Sequence, residues 1–220
     1  MRIGVLGGTG PAGSALAARM ADSGVQVLVG SRDLKRSSAV VDDLLRRWPR
    51  LESRLLSASN EQAAEAPLVV VATPWDAALD VAVAAREALR GKVVVSMANA
   101  LAKLNGEIQA LYPSRGSVAA SLAACLPEAR VVAAFHHLPA GKVAALDERL
   151  EGDVLICSDD EEAAEEVAEL ARRIPDLRAL VVGGLWAASP IEAFTAVLIN
   201  LNIRYRGHAS LRITGLERSP

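Results

Sequence analysis

Arg2-Ile3-Gly4-Val5-Leu6-Gly7-Gly8-Thr9-Gly10-Pro11-Ala12-Gly13 is the stretch that decides the fold. A strand-forming run enters a glycine-rich turn, and an alanine-rich helix pattern follows over residues 13–22. A dinucleotide pyrophosphate needs that local context. Gly8 is expected to take the turn, Gly10 to admit the diphosphate where a Cβ would stand in the way, and Gly13 to let the helix pack close to the strand. The helix then directs its free N–H groups and the positive end of its dipole at the phosphates. A glycine turn that serves only the fold has the same spacing; the placement between an N-terminal strand and a long helix favours the dinucleotide.

The next strand pattern, 25–30, ends where a dinucleotide lacking a 2′-phosphate usually meets an Asp or Glu. Ser31-Arg32 stands there instead, with Lys35 and Arg36 within one helical turn. A hydroxyl, a guanidinium and further positive charge suit a phosphate monoester, so NADP(H) is expected over NAD(H). Asp33 is the one contrary charge, and a solvated helix start with surface cations is the plainer alternative.

Beyond these two turns, Val- and Leu-rich runs at 53–58, 68–72, 92–96, 130–136, 153–157 and 178–182 read as strands. Helix-length amphipathic stretches alternate with them at 34–47, 60–65, 75–89, 117–125, 140–150 and 161–173. The alternation predicts an α/β fold of the Rossmann type, a doubly wound, mainly parallel sheet over residues 1–184. Gly183-Gly184 is the break, and a longer helical segment, 186–205, cannot belong to the alternation; residues 185–220 are expected to complete an acceptor pocket. Lys and Arg number 24 against 26 Asp and Glu, and the cations are dispersed, which argues against nucleic acid or an anionic membrane surface as partner. Cys125 and Cys157 have no metal-type spacing and fit buried thiols in a reducing cytosol. No signal peptide is visible, and the apolar run 193–203 is too short and too interrupted by Asn200 and Asn202 to span a bilayer.

Absences narrow the chemistry. The lysines are Lys35, Lys92, Lys103 and Lys142, and neither Tyr112 nor Tyr205 has a lysine four residues on, so the Tyr/Lys proton donor of short-chain reductases is missing. The final helix has no lysine either, which removes the acid of hydroxyacid dehydrogenases, although a reduced carbonyl must still gain a proton on oxygen. An acceptor that spreads the charge over a conjugated ring needs orientation more than an acid. Two further turns fall at the carboxyl edge of the sheet. Thr73-Pro74-Trp75 offers a large ring that reads either as a cap on the core or as a cofactor-facing group. His136-His137-Leu138-Pro139 closes a later strand; successive strand residues point to opposite faces, so only one histidine is expected to face a ligand and the pair is not expected to chelate a metal. His208 reads as a surface histidine.

These residues resemble the coenzyme F420-dependent NADP oxidoreductases over nearly the whole chain. The resemblance is carried by Gly7-Gly8-Thr9-Gly10, Val29-Gly30-Ser31-Arg32, Asn60 with Ala63-Ala64, Thr73-Pro74-Trp75, His136 with Leu138-Pro139-Ala140, and the Asn-containing final helix. It implies hydride exchange between NADP(H) and the 8-hydroxy-5-deazaflavin F420, with no metal and no flavin. Thr9, Gly10, Pro11 and Ala12 would hold the diphosphate; Ser31, Arg32 and Arg36 the 2′-phosphate; Trp75, Leu79, Leu101 and Ala140 the nicotinamide half. The deazaflavin would lie against His136, Leu138 and Leu211. A cytoplasmic homodimer is expected from the family and from the apolar final helix. Arg36 stands where a lysine is usual, Ser96-Met97-Ala98-Asn99-Ala100 replaces a proline- and valine-containing segment, and His137 replaces a smaller residue. These departures bear on the acceptor. Another NADPH-dependent reduction, of a flavin, quinone or imine, and a non-catalytic NADP(H)-sensing module are the alternatives. The same module occurs in membrane ferric reductases beside a transmembrane haem domain, which this chain is expected to lack.

Overall fold

The computed structural model describes residues 1–216. In chain order the elements are β1 (Arg2–Leu6), α1 (Pro11–Asp22), β2 (Gln26–Ser31), α2 (Leu34–Arg47), β3 (Leu55–Ser59), α3 (Asn60–Ala64), β4 (Leu68–Val71), α4 (Trp75–Ala84) and α5 (Arg86–Leu89). There follow β5 (Val93–Ser96), β6 (Leu101–Leu104), β7 (Glu107–Ala110), α6 (Val118–Cys125), β8 (Arg130–Ala133), α7 (Ala140–Ala144), β9 (Gly152–Ser158), α8 (Glu161–Arg172), β10 (Leu177–Gly183) and α9 (Ala188–Tyr205). Polar caps set several starts: Asp33 accepts from Lys35 N at α2, Ser59 and Gln62 close a capping box at α3, and Ser117 and Asp160 cap α6 and α8.

The main sheet runs β10-β9-β8-β5-β4-β1-β2-β3. β1 pairs in parallel with β2 on one side and β4 on the other, so the order reverses between β1 and β4, the point where such sheets bind ligands at their carboxyl edge. β9 is antiparallel to β8 and parallel to β10, which brings the start of β9 to that same edge. The pleat sends successive side chains to opposite faces. Ile3, Val5, Val70, Val93 and Val95 join α1 and α8 in one core cluster, while Leu6, Val69, Val71 and Val94 join α3, α4, α6 and the start of α9 in the other. Both faces are covered, as a doubly wound sheet requires.

The strand and helix readings match these elements to within a few residues, with four differences. A separate hairpin, β6–β7, was not expected, although Asn105-Gly106 between Leu104 and Glu107 is a two-residue turn signal; both residues have positive φ, 51° and 87°. β8 stops at Ala133, short of 136, because Phe135 sits at φ 62°, where no strand continues. α7 is one short helix ending at Ala144, and the helix expected over 75–89 divides at Ala85 with no proline or glycine to mark the break. Of the expected C-terminal segment 185–220, residues 217–220 lie outside the described residues.

Candidate active site

Four turns at the carboxyl ends of β1, β2, β4 and β8, with the β5–β6 connection, make this edge. In the first turn it is Gly7, not Gly8, that takes the left-handed conformation, at φ 70°. A Cβ on Gly7 would lie 2.4 Å from Thr73 Cγ2, so the glycine also lets the β1 and β4 turns touch. Gly8 donates to the Gly30 carbonyl at 2.9 Å, and a Cβ on Gly13 would meet Gly8 Cα at 3.0 Å, which is the close helix–strand packing expected of it. A Cβ on Gly10 would meet only the Gly7 carbonyl, at 3.7 Å; its outer side is open. No side chain caps α1, Pro11 occupies its first turn, and the N–H groups of Ala12 and Gly13 have no acceptor among the described residues. Thr9, Gly10, Pro11 and Ala12 thus share one uncapped helix start.

Asn60, whose role the sequence reading left unassigned, holds this turn in place. Its Oδ1 accepts from Gly7 N at 3.2 Å and lies 2.9 Å from where a Cβ on Gly30 would be. A Cβ on Gly4 would fall 1.9 Å from the Ala63 carbonyl, so Gly4, Gly30, Asn60 and Ala63 form one close contact between α3 and the first two strands. Beside it, Ser31 ends β2, buried, with its Oγ accepting from Asp33 N at 3.2 Å. Arg32, Lys35 and Arg36 are exposed and have no carboxylate partner among the described residues. Asp33 spends its carboxylate on capping α2, which accounts for the one negative charge in a cationic corner.

Above β4, β5 and β8, neighbours in the sheet, lie buried polar atoms without hydrogen-bond partners among the described residues: Thr73 Oγ1, Ser96 Oγ, Asn99 Oδ1, both ring nitrogens of His136, and His137 Nδ1. Each such atom costs about 1–3 kcal/mol if left unsatisfied, so a run of them at one edge marks a place for ordered water or a ligand to complete. Asn99 Nδ2 donates to the His136 carbonyl at 2.7 Å, tying the β5 and β8 turns together. Burial, followed by the neighbouring His137, pushes His136 down to about 3; the Ala134 carbonyl pulls the other way without meeting hydrogen-bond geometry. Burial likewise lowers His137, against the pull of the Asp153 carbonyl and charge. Both imidazoles are therefore neutral hydrogen-bonding groups. The expectation that they face opposite ways fails: β8 has ended before them, and the rings meet edge to face with centroids 5.2 Å apart.

Trp75 and Leu79, on α4, are half-buried against the second core cluster. Leu101 opens β6, Leu138 is buried just after the histidines, and Ala140 begins α7. Leu211 belongs to a tail that returns to the edge, its carbonyl accepting from Asp153 N at 2.8 Å. Asn200 clamps the hairpin to α9, accepting from Ile108 N at 2.9 Å and donating to Ile108 O at 2.7 Å. Arg19, another residue the sequence reading missed, places all five guanidinium N–H groups on the carbonyls of Lys142, Val143, Ala145, Leu146 and Glu148, at 2.7–3.3 Å. It fixes the end of α7 from the side of α1. Such side-chain-to-backbone bonds between distant segments leave no spacing pattern to find. Two surface hollows of about 510 and 590 Å³, beside the end of α1 and beside α3 and α5, contain none of the unpartnered groups. Among the described residues no group of three or more His, Cys, Asp or Glu is arranged to hold a metal ion.

The edge therefore combines an uncapped helix start, an unpaired cationic corner and a polar row awaiting a partner. The family described as "NADP oxidoreductase coenzyme F420-dependent" matches residues 2–100. The F420-dependent NADP reductase of Methanocaldococcus jannaschii is 35% identical over 99% of this chain and 100% of its own length. The chain belongs to the F420-dependent NADP reductase family. The reductase of that name from Methanothermobacter thermautotrophicus is 37% identical over 98% of this chain and 96% of its own. A crystal structure of a putative F420-dependent NADP reductase from Arthrobacter sp. FB24 superposes with a TM-score of 0.81 at 28% identity, covering 97% of this chain and 99% of that one. The rat metalloreductase STEAP3 is 29% identical over 90% of this chain, but the match covers only 37% of that longer protein. No helix among the described residues is long and apolar enough to cross a membrane. In this chain the glycine turn, the cationic corner and the polar row lie along one sheet edge.

Proposed function

We propose that the protein is an oxidoreductase that exchanges hydride between NADP(H) and coenzyme F420 at this edge. The hydride would pass between the nicotinamide and the deazaflavin ring, with one proton exchanged with solvent to balance it. Thr9, Gly10 and Pro11 shape the turn against the diphosphate, and Ala12, with Gly13 after it, offers the free N–H groups of α1. Ser31, Arg32 and Arg36 take the 2′-phosphate, which is favoured because neither arginine has a competing carboxylate among the described residues. Trp75, Leu79, Leu101 and Ala140 shape the nicotinamide half, and His136, Leu138 and Leu211 the deazaflavin half. The observation that carries this reading is the row of unpartnered buried polar atoms over β4, β5 and β8, next to an uncapped glycine turn. Neutral His136 serves as a hydrogen-bonding group and not as an acid. The site's work is orientation and exclusion of water.

A second copy of the chain is proposed to cover α9. Its exposed Phe194, Val197, Leu201 and Tyr205 follow a 3-4 spacing that makes one apolar stripe, with no exposed charge between Phe194 and Ile203. The free thiols Cys125 and Cys157, the second buried, support a cytoplasmic location.

Mixing the purified protein with NADPH and oxidised F420 tests the reaction: the visible absorption of the deazaflavin should bleach. Absence of bleaching at every pH, with turnover of a flavin, quinone or imine instead, would replace F420 as the acceptor. Sedimentation should find a dimer that Phe194→Glu dissociates.

A further inference from the structure

We infer that Asp153 and Arg178 are positioning residues for the acceptor half of the site, fastening the C-terminal strap, residues 207–216, and the paired histidines to one point. Asp153 begins β9, with its side chain fully buried. Arg178 grips the carboxylate with both arms, Nε to Oδ1 and Nη2 to Oδ2, each at 2.7 Å. The same groups also bind the strap: Ile213 N donates to Asp153 Oδ2 at 2.5 Å, and Arg178 Nη2 donates to Ile213 O at 2.6 Å. The main chain of Asp153 joins in. Its N–H donates to Leu211 O at 2.8 Å, and its carbonyl receives His137 Nε2 at 2.8 Å.

That last bond requires the proton on Nε2, so the longer 3.4 Å approach of Leu155 N to the same nitrogen is the lesser contact, and Nδ1 is left bare beside His136. One residue thereby sets both Leu211 and the His137–His136 pair. The strap has little else to hold it: Gly207, His208, Ser210, Arg212, Thr214, Gly215 and Leu216 are all exposed. Its other ties are also polar or local. Ala209 N donates to Asn202 Oδ1, Ser210 Oγ donates to the Glu151 carbonyl at 2.9 Å, and the His208 ring lies where a Cβ on Gly141 would be 2.8 Å from it. A buried ion pair seldom adds stability over apolar residues of similar size, but its geometry is specific. Here that specificity is spent on a segment running across the turn that bears Leu138 and Ala140.

The inference rests on the proposed acceptor site, and the test separates the two. Wild-type turnover of F420 by NADPH checks the site itself. Asp153→Asn weakens the clamp at its centre, and Ile213→Pro removes only the strap's N–H, sparing the buried carboxylate should the first variant fail to fold. In both, the KM for F420 should rise tenfold or more while kcat falls less than threefold. Calorimetry without acceptor should find the NADPH Kd within twofold of wild type, and the remaining amides of residues 207–216 should lose protection from hydrogen exchange. An unchanged F420 KM in a variant whose strap exchanges freely would overturn the inference, as would an equal loss of NADPH affinity.

Discussion

The proposed nucleotide half of the edge and the proposed acceptor half are built by different means. The first is mostly local: the stretches Gly7 to Gly13 and Ser31 to Arg36 each lead from a strand into the helix after it, with Asn60 of α3 holding the glycine turn from outside. The second is assembled across the chain. Asn99 reaches His136, Asp153 reaches Leu211 and Ile213, Asn200 reaches Ile108, and Arg19 reaches residues 142–148. An edge of the first kind leans on few distant side chains, whereas one of the second kind depends on many polar side chains from separate segments.

The largest effect should come from the residue that spans both halves. α1 begins at the diphosphate turn and carries Arg19 further along, under the end of α7. Arg19→Met keeps the apolar stem but strips five carbonyls of their donor, and denaturant unfolding should show a loss of about 3–5 kcal/mol. A loss below about 1 kcal/mol would mean that water replaces the guanidinium and that the halves are not coupled through it.

Glu192 gives the next effect. Burial raises its carboxyl to about 7, partly offset by the N–H groups of Val118 and Ala119 that it accepts at 2.8 and 3.1 Å, and it joins α9 to the start of α6. Between the unfolded value of about 4.3 and about 7 the folded chain keeps a proton that the unfolded chain has lost, so this group makes stability fall as pH rises through that window, by at most about 4 kcal/mol. Glu192→Gln should flatten the slope measured by unfolding at pH 5 and pH 8. An unaltered slope would remove Glu192 as its source.

In the nucleotide half, Arg32→Ala should weaken NADPH by about 1–3 kcal/mol and leave NADH nearly unchanged, as read by calorimetry. Equal weakening of both dinucleotides would assign the charge to the fold. The smallest effect is an absence. Because burial holds His136 at about 3, the single-turnover hydride rate at saturating ligands should show no histidine inflection between about pH 5 and 9. An inflection near the ordinary imidazole value of about 6.5 would show that the ring is protonated in the working site. The same depression makes His136 a source of acid lability: the unfolded chain takes up a proton below about pH 6.5 that the folded chain refuses until about pH 3.

Much of the architecture was legible because continuous Val- and Leu-rich runs alternate with amphipathic helices, and a parallel sheet covered on both faces has few ways to be wound. The glycine turn was legible for a related reason, although the left-handed residue proved to be Gly7: adjacent glycines look alike until the neighbouring turn, here Thr73, is in place. The Asn105-Gly106 hairpin carried a sequence signal that the strand-helix alternation overshadowed. The bend at Phe135 carried none, since a left-handed phenylalanine is imposed by its surroundings.

By itself the sequence determined the winding of the sheet, the glycine turn after β1 and the cationic corner after β2, because each depends on residues that are neighbours in the chain. Only the tertiary structure decided that both histidines are neutral and face to edge, that Asp153 ties the strap to them, and that Arg19 and Asn200 hold the walls. Those are matters of burial and of hydrogen bonds between segments far apart in sequence, and a buried polar group reveals its role only when the atoms that surround it are known.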